Sequence, residues 1–351
     1  MINWIELIFT LCTGVFFASM ALRKHSGAAM YGRAKQLVIG GFIAHTLLRM
    51  AHMDTWRTLP VAAVMYGFVF FFIASTGLPP GKGFEAEQSV WSEPKSRRVI
   101  RRSFGFAGMA AALVCLAALA LFPLPAIAAP NGPHRVGTQS FQLSDPVRIE
   151  QYAPSPGVAV PRNIMVQAWY PLAPDARGQS AFWLPDAGVR NALARMSRLP
   201  QFAMSHLARA RLPAVAGAEP AAGKWPVVIL SHGWTGTRYL HADLALELAS
   251  RGIMVLAIDH PYGAMSTTMA DGTVIDFSPA ALPGKAGDPG FWDNARKLVG
   301  TYSDDQLMLI DAVRNDRLVP AVANACDAQA IAIAGHSTGG GAAVLSAYSD
   351  P

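Results

Sequence analysis

The chain has 351 residues, of which 52% are hydrophobic and only 15% are charged, and its formal net charge is +6. This length suggests two domains, and a mean hydropathy of +0.27 argues against an ordinary soluble protein. With only three cysteines, one of them beyond residue 130 (Cys326), the composition excludes a disulfide scaffold. No zinc-binding pattern is present, so neither a metal nor a cofactor is predicted.

The apolar residues concentrate in the first 130 positions. Four stretches approach the roughly 20 residues that a membrane span needs, and they cover residues 4–22, 36–53, 61–78 and 104–127. One such stretch would also fit a buried core helix or a cleaved signal, but several in succession favour a membrane domain. We therefore predict an N-terminal α-helical membrane domain of about four spans over residues 1–130.

Polar residues interrupt the second of these stretches. His45, Arg49 and His52 follow one another at helical spacing and so share one face of a helix. Ionisable residues at membrane depth usually face the interior of a bundle or a water-filled cavity. We interpret them as a polar bundle face or the interfacial end of a helix; a haem or metal site is an alternative, without evident partner ligands.

The positive charge lies between the apolar stretches, which argues against nucleic acid as its partner. The basic residues are Arg23, Lys24, Arg33 and Lys35 in the first loop, and Lys82, Lys95, Arg97, Arg98, Arg101 and Arg102 in the third. Positive loops stay in the cytoplasm, so the part after residue 130 is predicted to be extracytoplasmic and tethered to a membrane. Residues 126–129 also resemble a signal-peptide cleavage site, and cleavage there would release the downstream part.

Beyond residue 130 the pattern changes. Residues 136–143 and 164–170 alternate apolar and polar side chains, as antiparallel strands do. An Arg-rich segment at 179–223 fits either a solvated helical insertion or a lid that faces lipid. Buried strands at 227–230, 253–258 and 331–334 then alternate with helices, which predicts a mostly parallel sheet in an α/β domain spanning residues 131–351.

A serine stands at the end of the last of these strands. Positions 335–339 read Gly-His-Ser-Thr-Gly and lead into a segment of small residues. A strand, a G-x-S-x-G turn and a helix in this order form a nucleophile elbow, whose strained backbone lifts the serine hydroxyl above the sheet. Ser337 is therefore the predicted nucleophile.

Acyl transfer also needs donors for the developing oxyanion. In elbow hydrolases one donor is the N–H after the nucleophile and the other follows the third strand. These are Thr338 and Trp234 in this chain, since Ser231 to Trp234 directly follow the first buried strand. We expect His232 to organise this loop rather than to act as a base.

The second part of the chain resembles the platelet-activating-factor acetylhydrolase family (isoform II, plasma type) of the α/β-hydrolases. The resemblance implies a lipid or small ester as the substrate, and the motifs are shared with dienelactone-hydrolase-like and chlorophyllase-like relatives. It covers about two-thirds of the chain and rests on residues 165–171, 225–233, 244–252 and 331–340.

The sequence departs from this family in one respect. The triad order is serine, acid, histidine, yet Asp350 lies too close to Ser337 to be the usual acid and no histidine follows. We interpret the hydrolase domain as incomplete at its C-terminus and expect the chain as given to be nearly inactive. Asp259 and His260 are alternative partners, although Asp259 more simply orients its turn, and His336 should point away from the hydroxyl.

Three functions remain open at this point. The first is a membrane-anchored serine ester hydrolase for short-acyl lipids or other carboxylic esters. The second is a serine peptidase or thioesterase on the same fold. The third is a catalytically dead binding module, because the triad acid and histidine are absent.

Overall fold

The computed structural model describes residues 4–22, 56–75, 95–153 and 160–350. It divides the chain into two compact units, Met1–Leu124 and Pro125–Pro351.

The described part of the first unit is helical. Its helices are α1 (Trp4–Leu22), α2 (Leu59–Ser75), which follows a 3₁₀ turn at Trp56–Thr58, and α3 (Lys95–Leu121). Phe17 of α1, Met65 of α2 and Cys115 of α3 are buried in one apolar cluster. Helices α1 and α3 come so close that a Cβ added to Gly108 would lie 2.0 Å from the Phe17 ring.

The prediction of about four membrane spans was wrong. Within the described residues only Arg98–Leu121, with 24 residues, is long and apolar enough to cross a membrane. Helix α1 offers the shorter apolar segment Glu6–Ala18, and its Glu6 forms a buried ion pair with Arg57. Helix α2 has 17 residues, which is fewer than a span of ~20 residues needs.

Part of the predicted membrane domain lies outside the described residues. This part includes the stretch 36–53, with His45, Arg49 and His52, and the basic loop before it. The interpretation of these residues stays a prediction.

The second unit is built on a mixed sheet. Its strands are β1 (Arg135–Ile149), β2 (Pro161–Leu172), β3 (Ser180–Phe182), β4 (Arg211–Ala216), β5 (Trp225–Ser231), β6 (Met254–Asp259), β7 (Ser266–Thr268), β8 (Val274–Asp276) and β9 (Cys326–Gly335). Seven of them form one sheet in the order β3-β4-β1-β2-β6-β5-β9, while β7 and β8 pair with each other. The helices are α4 (Ala187–Met196), α5 (Ala242–Ser250), α6 (Phe291–Arg314), α7 (Pro320–Ala325) and α8 (Thr338–Ser349), with 3₁₀ turns at Gln201–Arg209 and Pro279–Ala281.

The prediction of a mostly parallel sheet was also wrong. Strand β5 runs parallel to β6 and β9, as helical crossovers between these strands require. Strand β2, however, pairs antiparallel with both β1 and β6, and β3 pairs antiparallel with β4. The parallel pattern therefore holds for the half of the sheet that carries the elbow, whereas the alternating strands that precede it are mainly antiparallel.

The Arg-rich segment at 179–223 is not purely helical, because it forms β3, α4, a 3₁₀ helix and β4 at one edge of the sheet. Two of its arginines are bound within the unit: Arg190 donates to the Leu184 carbonyl and Arg195 pairs with Asp276. Phe202 is 57% exposed. Whether the segment is a solvated insertion or a lid stays a prediction.

Alternate residues of β5 and β6 face opposite sides of the sheet, as the pleat requires. Ile229 and Leu256 pack with Leu309 on the side of α6, whereas Leu230 and Val255 pack on the side of α5. Burying each such side chain contributes about 1.5–3 kcal/mol. The two helices thus fix the central strands, whose carboxyl ends carry the candidate site.

Candidate active site at the serine elbow

Ser337 stands at the turn between β9 and α8. Its backbone has φ 53° and ψ −116°, a conformation that costs a non-glycine residue of order 1–3 kcal/mol. The flanking glycines make this turn possible: a Cβ on Gly335 would lie 2.2 Å from the Gly339 carbonyl carbon, and a Cβ on Gly339 would lie 2.4 Å from the Ser231 carbonyl oxygen. The turn therefore has the tight geometry of a nucleophile elbow.

The hydroxyl of Ser337 is open to solvent. The residue is exposed, and among the described residues no side chain or backbone group forms a hydrogen bond with its Oγ. Its own carbonyl oxygen accepts the Gly341 N–H at 3.0 Å, which ties the turn to the first turn of α8. The backbone is thus fixed while the hydroxyl stays free to meet a substrate.

The loop after β5 lies against this elbow. Strands β5 and β9 run in parallel with Ser231 opposite Gly335, so the segments after both strands meet at one edge of the sheet. A Cβ added to Gly233 would lie 3.0 Å from Ser337 Cβ. Within the described part of the chain, neither the Trp234 N–H nor the Thr338 N–H donates to an acceptor. Both predicted oxyanion donors therefore flank the elbow with their hydrogen atoms unused.

Apolar side chains surround the same loop. Trp234 packs with Leu282 and Val299 around a buried cluster that includes Leu298, and its ring meets Phe277 edge-on with the centroids 6.0 Å apart. The region beside the predicted donors therefore has an apolar wall.

His232 binds backbone groups rather than Ser337. Its Nδ1 lies 2.7 Å from the Gly233 carbonyl oxygen, to which it donates, and its Nε2 accepts the His260 N–H at 3.3 Å. The residue is buried, and this burial lowers the pKa of its imidazole. These contacts hold the bend of the oxyanion loop.

Asp259 and His260, the alternative acid and base, do not contact Ser337. The carboxylate of Asp259 accepts both the backbone N–H and the guanidinium of Arg238, so it orients the turn that precedes α5. His260 is buried, with Nδ1 2.8 Å from Asp305 Oδ2 and Nε2 3.0 Å from Ser231 Oγ. In the described residues these two side chains do not complete a triad with Ser337.

The two other candidates lie close to the elbow in sequence. The exposed His336 has its ring 5.4 Å from that of His241, while its backbone N–H donates to the Ser231 carbonyl. Asp350 ends α8 and pairs with Arg314. Neither side chain forms a hydrogen bond with Ser337 within the described part of the chain.

The sequence analysis missed a buried polar network beneath the site. Asp305 accepts hydrogen bonds from Arg162, Arg148 and His260, and the Arg162 guanidinium holds the pKa of this carboxyl well below its usual range against the opposing effect of burial. Gln306 donates to Ser231 Oγ at 2.9 Å. The sequence contained one indication of this network. Asp305 follows Leu298 by seven residues, which places a carboxylate on the apolar face of α6.

Comparisons with known proteins support the predicted resemblance. Residues 122–274 match the family model "Platelet-activating factor acetylhydrolase, isoform II". A putative phospholipase A2 of Schizosaccharomyces pombe is 31% identical over 168 residues, which cover 45% of this chain and 35% of that protein. A ferulic acid esterase structure from Streptomyces cinnamoneus is 32% identical with a TM-score of 0.50, and covers 64% of this chain and 58% of that one.

The resemblance to a platelet-activating-factor acetylhydrolase-like α/β-hydrolase is thereby confirmed. The chain spans about a third of the length of the curated relative and somewhat over half of the esterase structure.

Proposed function

We propose that this protein is a serine-dependent ester hydrolase in which Ser337 is the nucleophile. One observation carries the proposal: an exposed serine with positive φ lies beside two backbone N–H groups that have no described acceptor. That arrangement suits attack on a carbonyl carbon, because the charge that develops on the carbonyl oxygen needs donors already in place.

The proposed reaction begins with attack of Ser337 Oγ on the ester carbonyl. The oxyanion of the tetrahedral intermediate would accept hydrogen bonds from the N–H groups of Trp234 and Thr338. Its collapse would break the bond to the ester's alkoxy oxygen, which takes up the proton of the serine hydroxyl and leaves as the alcohol, so that an acyl-serine remains. Water then releases the acid. A serine hydroxyl is a weak nucleophile unless a base takes its proton, and no histidine of the described residues forms a hydrogen bond with Ser337.

The substrate class we propose is a short-acyl lipid ester or another carboxylic ester. The similar proteins are named as an acetylhydrolase, a phospholipase and an esterase, and all three names denote hydrolysis of an ester. The apolar wall formed by Trp234, Leu282, Val299 and Phe277 suits an apolar part of such a substrate.

The first test is covalent labelling with a fluorophosphonate, which transfers its phosphorus to an activated serine and releases fluoride. We expect the full-length protein to be labelled at Ser337 and its Ser337→Ala variant to lose the label. Equal labelling of both would refute the assignment.

Substrate profiling then separates the ester hydrolase from a peptidase or thioesterase. We expect the full-length protein to show serine-dependent turnover of p-nitrophenyl acetate and of a phospholipid with a short sn-2 acyl chain. Turnover of a peptide or a thioester alone would instead support one of the other two activities.

We also propose that the hydrolase unit is extracytoplasmic and tethered through the helix at Arg98–Leu121. Length and composition fit one span, and basic residues at its start (Arg98, Arg101 and Arg102) favour a cytoplasmic beginning. A reporter fused after Pro133 that is active only when exported should then be active. Activity of a cytoplasm-only reporter at the same position would reverse the topology.

A further inference from the structure

Ser231 lies where the two halves of the candidate site meet. It is the last residue of β5, and the predicted oxyanion loop starts at the next position. Its carbonyl oxygen accepts the His336 N–H at 3.0 Å and lies where a Cβ on Gly339 would approach to 2.4 Å. Any displacement of Ser231 would therefore move the loop and the elbow relative to each other.

The side chain of Ser231 is fully buried and bound on both sides. Its Oγ lies 3.0 Å from His260 Nε2 and 2.9 Å from Gln306 Nε2. Gln306 reaches the elbow as well, because its Nε2 is 3.4 Å from the Gly339 carbonyl oxygen and its Oε1 accepts the Ser346 hydroxyl at 2.8 Å. Through these bonds the end of β5, the elbow turn and helix α8 share one set of partners.

The donors and acceptors of this network have only one consistent order. The guanidinium of Arg162 only donates and the carboxylate of Asp305 only accepts, so His260 must donate from Nδ1. Because burial lowers the pKa of His260 to about 4, its imidazole is neutral near pH 7 and accepts at Nε2. Ser231 must then donate its single hydroxyl proton to His260 and accept from the amide of Gln306. The buried carboxylate of Asp305, acting through His260, thus holds the side chain of Ser231 in one orientation.

We propose that Ser231 is a positioning residue. Its hydroxyl, which makes two hydrogen bonds, keeps the oxyanion loop and the serine elbow at a fixed position relative to each other. This inference rests on the proposed function of Ser337. Losing the hydroxyl would leave His260 Nε2 and one Gln306 N–H buried without a partner, and relief of that penalty would shift the end of β5. A misplacement of about 1 Å costs on the order of 10²-fold in rate.

The same atoms resemble a catalytic triad, yet the contacts argue against a second nucleophile. The side chains of Ser231, His260 and Asp305 have no exposed surface, so no ester can reach them. The pKa of His260 is lowered to about 4, mainly by burial, which makes this imidazole a weak base. Positioning is the role that remains for Ser231.

The test uses the full-length protein with Ser231→Ala and, as a matched control, Ser250→Ala. Ser250 is equally buried, and its Oγ also makes two hydrogen bonds, to Gly132 N and Glu247 O. Ser231→Thr keeps the hydroxyl and serves as the conservative rescue. Gln306→Met, which removes the second bond to Ser231 at nearly constant volume, replaces Ser231→Ala if that variant does not fold.

Two measurements, the labelling rate of Ser337 and amide hydrogen exchange at the elbow, decide the proposal. In Ser231→Ala the maximal rate of fluorophosphonate labelling at Ser337 should fall about 10- to 100-fold with little change in the inhibitor's binding constant, and Ser231→Thr should restore it. Amide hydrogen exchange across residues 336–341 should accelerate at least about tenfold in Ser231→Ala, while Ser250→Ala leaves both readings at their wild-type values.

The two proposals fail separately. If the wild-type chain is not labelled at Ser337, the proposed function fails, and the exchange of residues 336–341 still decides whether Ser231 positions the elbow. If Ser231→Ala matches Ser250→Ala in exchange, or is labelled at the wild-type rate, the positioning role is overturned.

Discussion

Two serines at the ends of adjacent parallel strands have opposite surroundings. Ser231 ends β5, is fully buried, and is hydrogen-bonded to His260, which in turn contacts Asp305. Ser337 follows β9 with a strained backbone, is exposed, and has no described hydrogen-bond partner on its hydroxyl. The serine with the triad-like partners cannot be reached, whereas the reachable serine has none of them among the described residues.

This comparison shows that a Ser–His–Asp chain of hydrogen bonds does not by itself identify a nucleophile. Catalysis needs an accessible hydroxyl beside donors for the oxyanion, and of these two described serines Ser337 alone is exposed. The hydrogen bonds among Ser231, His260 and Asp305 instead satisfy the buried polar groups beneath the elbow, since an unpaired buried polar group costs free energy. The predictions below test each side of the comparison.

The largest effect is expected from Asp305→Asn, which removes the charged group from the buried hydrogen-bond network of Asp305, His260 and Ser231. The amide would remove the negative charge that faces Arg162 and His260. Removing one partner of a buried ion pair typically costs about 3–5 kcal/mol. We therefore expect the free energy of unfolding, measured in urea, to fall by an amount in this range.

Asp304→Asn is the matched control, because Asp304 is the neighbouring carboxylate on α6 but is exposed. A surface charge of this kind contributes about 0–1 kcal/mol. If the two variants were equally stable, Asp305 would not anchor the network.

The second effect concerns the elbow. In Gly339→Ala the new methyl group would lie 2.4 Å from the Ser231 carbonyl oxygen and 2.6 Å from that of His232. Because both contacts are to backbone, β5 and α8 must move apart, at a cost of about 1–3 kcal/mol. We expect this loss in unfolding measurements, together with much slower labelling of Ser337.

Gly341→Ala supplies the comparison within the same helix. Its added methyl group would meet only the Val299 side chain at 3.6–3.7 Å, which is ordinary van der Waals contact, and alanine favours a helix by about 1 kcal/mol over glycine. Wild-type labelling with equal or higher stability is expected. A stable Gly339→Ala variant with unchanged labelling would contradict the tight packing of the elbow.

The difference between the serines also explains what could be predicted from the sequence. The elbow was predictable because Gly335, Ser337 and Gly339 are neighbours in the chain and their spacing alone requires a sharp turn after a strand. The network joins Ser231 to His260 and Gln306, which lie 29 and 75 positions away, and spacing in the sequence does not reveal such contacts.

The errors in the predicted fold have similar causes. Hydropathy alone suggested spans at residues 4–22 and 61–78, but the buried pairing of Glu6 with Arg57 depends on how the helices pack. The alternation of apolar and polar residues at 136–143 and 164–170 correctly predicted strands. Strand β2, however, pairs with β1 on one side and with β6, which comes much later in the chain, on the other. Pairing between distant strands is a tertiary property.

The last expected effect is the pH dependence that His260 contributes. Burial, with His232 and Arg162 nearby, lowers its pKa to about 4, and the bond to Asp305 only partly opposes this shift. An unfolded histidine titrates near 6.5, so between these values the unfolded chain binds the extra proton. Stability should therefore fall as the pH is lowered from about 6.5 to about 4, by about 1.4 kcal/mol per pH unit for each proton.

His232 is buried beside His260, and its pKa is lowered as well. Burial also lowers the pKa of His241, so the wild-type chain takes up protons at these three histidines on unfolding in acid. Stability measured in urea from pH 7.5 to 4.5 should accordingly fall more steeply for the wild-type chain than for His260→Gln, with the slopes differing by about one proton. If His260→Gln and the wild-type chain had the same slope, His260 would be protonated alike in the folded and unfolded states, and the single donor order that orients Ser231 would have to be abandoned.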